Sequence, residues 1–110
     1  MIKLFTTYGS VESIKNELKT LFSTTPCTII DFKIRPITYD ERTLNLTATV
    51  IYDDNGTTQY RVEFFYGAIT ETLAQINYFL NHVNSIHFFE QFPFVFHKKN
   101  LFLFTCFIYT

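Results

Sequence analysis

The side chains capable of covalent or metal chemistry are few and dispersed: two cysteines, Cys27 and Cys106, and three histidines, His82, His87 and His97. A metal site needs several Cys, His or carboxylate ligands at spacings that converge on one ion, and no C-x-x-C pair is present. His87 and Glu90 are three residues apart, which on a strand turns them to opposite faces. Nucleophilic catalysis needs a thiol or hydroxyl beside a histidine and an orienting acid. Cys106 and His97 fall on one expected hairpin, but no catalytic motif surrounds them. The glycines, Gly9, Gly56 and Gly67, form no G-x-G and hence no phosphate-cradling loop. These absences point away from an enzyme, and neither a cofactor nor a metal is expected.

The elements that carry these residues belong to a chain of 110 residues and 13.0 kDa, which suits one domain over 1–110. Hydrophobic residues make up 47% and charged residues only 17%, a composition that folds. Nine Lys and Arg against ten Asp and Glu leave no basic excess for tracking phosphates, so nucleic acid is not an expected partner. The longest uncharged apolar stretch, Leu101 to Thr110, has the length of a strand and falls short of the ~18 residues that span a bilayer. The opening MIKLFTTYGS lacks the apolar core of a signal peptide, so a cytoplasmic location with two buried thiols is expected, without a disulfide or a membrane partner.

Comparing the chain with itself exposes a repeat. Tyr8-Gly9-Ser10-Val11 recurs as Tyr66-Gly67-Ala68-Ile69, and Leu18, Leu21 and Phe22 match Ile76, Phe79 and Leu80 in the same frame. After the loss of one residue, Pro36 meets Pro93, Leu44 meets Leu101 and Leu46 meets Leu103. Residues 2–53 and 59–110 therefore read as tandem copies of one unit.

Each copy reads β-α-β-β. Ile2 to Thr6 and Tyr60 to Phe65 alternate as opening strands. Val11, Ile14, Leu18, Leu21 and Phe22 form one helical stripe behind a Ser10 N-cap, and Ile69, Leu73, Ile76, Phe79 and Leu80 form another. In the strands that follow, Ile30, Phe32 and Ile34 alternate with charged residues, and Leu44, Leu46, Ala48 and Val50 alternate with polar ones. Asn55-Gly56, within 53–57, has the residues of a tight hairpin turn, which predicts that the two copies pair through it. The expected architecture is α+β: a continuous antiparallel sheet of about six strands with both helices on one face.

One feature departs from that pattern. Leu101, Leu103, Phe107 and Tyr109 supply an apolar face to the last strand, yet Phe102, Phe104, Cys106 and Ile108 make its other face apolar too. If both helices cover one side, this second face must meet a partner, unless the sheet curls to cover it; patch statistics favour the partner. Phe102, Phe104, Cys106, Ile108 and Phe65 are therefore expected to form an interface, most simply a homodimer. The turn tips differ in charge, Asp40-Glu41-Arg42 in the first copy and His97-Lys98-Lys99 in the second, which makes the latter three a secondary contact candidate.

The opening IKLF strand, the amphipathic helix, Ile29-Ile30-Asp31-Phe32-Lys33-Ile34 and the aliphatic strand ending Val50-Ile51-Tyr52 resemble the small Cse-type sporulation proteins of endospore-forming Firmicutes. The resemblance covers residues 2–53, implies a Firmicute or phage origin, and carries no catalytic residues with it. The functional expectation is a small protein-binding accessory protein, such as an inhibitor of a host or defence protein. The alternative is a protein that sequesters a nucleotide-like small molecule in an aromatic pocket.

Overall fold

The structure, a computed structural model, describes residues 1–39, 43–96 and 100–110. Its elements run β1 (Ile2–Ser10), α1 (Val11–Thr24), β2 (Cys27–Tyr39), β3 (Leu44–Thr58), β4 (Arg61–Ala68), α2 (Ile69–Leu80), β5 (Ile86–Phe96) and β6 (Asn100–Tyr109). This is the α+β sequence of elements that the periodicity predicts. Both halves are β-α-β-β, and each folds its three strands into an antiparallel sheet with the third strand in the centre, β1-β3-β2 and β4-β6-β5.

The correspondence between the halves extends to single rungs. Leu46 of β3 is flanked by Gly9 and Pro36, and Leu103 of β6 is flanked by Gly67 and Pro93. Gly9 and Gly67 hold φ angles of 155° and 150° at the step from strand to helix, a conformation that a side chain disfavours. The caps differ. Ser10 Oγ accepts the Ser13 N–H at 3.2 Å, whereas Ala68 at the same place in the second half has no side-chain oxygen to offer.

The continuous six-stranded sheet is not formed: there are two three-stranded sheets, and β3 and β4 are not ladder partners. The reason lies at the segment that reads as a hairpin turn. Asp53-Asp54-Asn55-Gly56 does not reverse the chain; it bulges within β3, so that Thr28 pairs with Asp53 while the adjacent Cys27 pairs with Thr58. Asp53 accepts the Asn55 N–H at 3.0 Å, and Asp54 faces the Met1 amine at 2.8 Å and Lys3 Nζ at 3.2 Å. Gly56 is held directly against the Cys27–Thr28 backbone, where a Cβ has no room.

The two helices also do not share a face. α2 lies on the second sheet over β4 and β6, where Ile76 packs with Leu103 and Phe107. α1 lies between the sheets, against β1 and β3 of its own unit and against β4 of the other. Opposite α1, β2 runs beside β5, where Arg35 bridges to Glu90 at 2.9 Å. Val11, Ile14, Leu18 and Phe22 of α1 join the inner residues of both sheets in one core. No helix among the described residues is long and apolar enough to cross a membrane.

Candidate functional site

The face expected to meet a partner is interior. Phe104, Cys106 and Ile108 are fully buried, and Phe102 packs at the margin of the core that contains α1 and the inner face of the first sheet. Phe104 sits among Phe64, Tyr66 and Phe92, with ring centroids 5.1, 6.4 and 4.9 Å away. Phe65 does not belong to that face. It pairs with Thr105 on the opposite side of the sheet and packs beneath α2 against Phe79 and Phe107. β6 is therefore a central strand covered on both sides, the first sheet and α1 doing on one face what α2 does on the other. His97, Lys98 and Lys99, and the Asp40-Glu41-Arg42 tip, lie outside the described residues.

The residues with chemical potential stay apart. Both cysteines are free and buried. Burial pushes the Cys106 thiol well above the ordinary cysteine range, with further upward pressure from the Glu90 and Glu63 carboxylates, so it is a packing group, not an accessible nucleophile. Burial raises the Cys27 thiol as well. His87 meets Thr110 Oγ1 at 3.1 Å and stands edge-on to Tyr60, while Glu90 is engaged by Arg35. No cluster of three potential metal ligands occurs among the described residues.

An open groove of about 720 Å³ runs along the β4 flank of α2, lined by Arg61, Glu63, Phe65, Tyr78, Phe79 and His82. His82 stacks on Tyr78 at 4.1 Å and its Nδ1 lies 2.7 Å from the Tyr78 carbonyl oxygen. A carboxylate and a guanidinium share its walls, so it presents no uniform positive field to a phosphate.

The more distinctive surface lies on the opposite flank of α2. Because α2 covers β4 and β6, the β5 side of the same sheet face is bare. Phe89, on that face, is 54% exposed and lies against the buried Phe107, with ring centroids 5.4 Å apart. Val95 and Leu101 are directly opposite one another in the ladder and both are exposed. Leu73 and Leu80, seven residues apart and hence on one side of α2, face away from the Gln75–Tyr78 flank that lines the groove. Five large apolar side chains, about half exposed, thus lie on the α2 side of the second sheet, Leu73 and Leu80 on the helix and Phe89, Val95 and Leu101 on β5 and β6. The sequence marked Leu73, Leu80 and Leu101 as core positions of an amphipathic pattern; their exposure follows from α2 being seated off-centre on its sheet.

No protein-family model, curated protein or solved structure matches this chain.

Proposed function

We propose that this protein is a small non-enzymatic accessory protein that binds another protein through the bare apolar surface of α2, β5 and β6. The observation that carries the reading is the exposure of Leu73, Leu80, Phe89, Val95 and Leu101, all on the α2 side of the second sheet. Isolated exposed apolar residues are ordinary, whereas a contiguous group bordered by polar residues is the usual mark of an interaction site. A large exposed aromatic residue is the kind of anchor that dominates an interface, and Phe89 is the most exposed of the five. A bacterial or phage protein that inhibits a host or defence protein fits a single domain of 13.0 kDa. The shared Gly–Leu–Pro rung and the shared strand order support descent of the two units from one by tandem duplication, after which the second sheet gained an apolar inner face and the second helix a peripheral seat.

The test is a double variant, Phe89→Lys with Leu101→Lys, compared with the unaltered protein in partner capture from the native host and then in titration against the purified partner. The variant is expected to keep its circular dichroism spectrum and to bind at least tenfold more weakly, a loss of about 1.4 kcal/mol or more for an anchor residue. Equal affinity for the variant overturns the reading.

A further inference from the structure

The two sheets have four outer strands, β1, β2, β4 and β5, none with a ladder partner on its second side among the described residues. β2 and β5 run beside each other, joined by Arg35 and Glu90. β4 is bordered by α1, whose Lys15 and Glu12 reach Glu63 and the Tyr66 hydroxyl at 3.0 and 3.1 Å. β1 also meets α1, where Thr7 Oγ1 donates to Glu17, and it differs from the others in what its edge presents. It pairs with β3 through an unbroken nine-residue register, Ile2 to Ser10, and has no ladder partner on its other side among the described residues.

Natural sheets protect such an edge with proline, a bulge, several charges or a covering loop. β1 has no proline and no bulge, and its one charged side chain, Lys3, is turned toward Asp54. Three of its outward side chains are large and apolar, Ile2, Leu4 and Tyr8 at 63, 66 and 78% exposure, and they share the outward face with Thr6 and Ser10. A groove of about 420 Å³ between β1 and α1, lined by Phe5, Asn16, Leu21 and Thr24, opens beside the same edge. An unguarded strand with an apolar face is a pairing template.

We propose that β1 pairs antiparallel with β1 of a second copy of this chain, joining the two first sheets into one six-stranded sheet across a twofold axis. The strand is suited to itself. The register that uses all nine residues is centred on Thr6, and it sets Leu4 opposite Tyr8 of the other copy, Thr6 opposite Thr6 and Lys3 opposite Gly9. No like charges are opposed, an aliphatic–aromatic pair recurs on each side of the axis, and the exposed residues are the ones that meet. A strand of this length is about 30 Å long, and two such edges with their flanking side chains bury on the order of 1,000 Å², the lower limit for a specific interface. The dimer should therefore be reversible and concentration-dependent. This surface is separate from the α2–β5–β6 face, so either proposal can fail without the other.

Light scattering during size exclusion, across a concentration series, reads the association as a rise in mass from 13.0 kDa toward twice that value. The Leu4→Lys, Tyr8→Lys double variant should stay at the monomer mass throughout. A Leu4→Cys, Tyr8→Cys double variant should form a disulfide-linked dimer under mild oxidation, with Leu4→Cys alone giving little; this second measurement decides the matter if the lysine variant proves unstable. A mass that stays at that of the monomer at every concentration overturns the proposal, as does a dimer that persists unchanged in a folded lysine variant.

Discussion

Truncating Phe104 to alanine should lower the unfolding free energy by about 4 kcal/mol, read from the urea midpoint at unchanged slope. The side chain is fully buried and is packed by rings on three sides, Phe64, Tyr66 and Phe92. Those rings belong to β4 and β5, the two strands laddered to either side of β6, so they cannot close in on the space left behind, and the cavity cost adds to the lost transfer energy. With ~5–15 kcal/mol of stability to draw on, a domain of this size loses a large share of it, and the thermal midpoint should fall by roughly 20 °C. Phe104→Leu, which leaves a smaller void, should cost less than half as much. A surface role for Phe104 predicts instead a change near zero.

Replacing Gly56 with alanine should cost about 3 kcal/mol, measured in the same way. A Cβ there is driven into the Thr28 side chain and amide and the Cys27 carbonyl carbon, all well inside van der Waals contact. Two of these three atoms are backbone, so no rotamer change relieves the overlap; β2 and β3 must part where the bulge is seated. The loss should be confined to stability, because the α2–β5–β6 surface lies in the other sheet.

These two residues show where the sequence is informative and where it misleads. The β-α-β-β order, Gly9 and Gly67, Pro36 and Pro93, and the stripe of α1 are legible because local periodicity and backbone geometry decide them. The doubly apolar character of Phe102 to Ile108 is legible too, and it means what such a pattern ordinarily means, a strand covered on both faces. The misreading begins at Asn55-Gly56. Taken as a hairpin, it fuses the two sheets, puts both helices on one side and leaves Phe104 facing outward. As a bulge, it lets the chain continue through Thr58 to Tyr60, whose hydroxyl accepts the Ile29 N–H at 3.1 Å, and the second sheet closes over α1 instead.

The candidate surface was hidden for a related reason. Leu73 and Leu80 sit on the same helical stripe as the buried Ile76, and Leu101 alternates in phase with the buried Leu103. Hydrophobic phase tells which way a side chain points along its own element, but not how far the neighbouring element reaches. α2 stops short of β5, and that lateral offset of one strand converts expected core into accessible surface.

The apolar face of β6 that carries Phe104, Cys106 and Ile108 is interior, and the apolar residues beside α2 and on β5 are exposed. Equilibrium unfolding of Phe104→Glu beside Phe89→Glu tests it most directly, since the same charge is placed on each face. We expect Phe104→Glu to be unfolded or nearly so, because a buried carboxylate without a partner costs several kcal/mol, and Phe89→Glu to unfold within about 1 kcal/mol of the unaltered protein. A folded, stable Phe104→Glu together with a collapsed Phe89→Glu would exchange interior and surface and contradict the account.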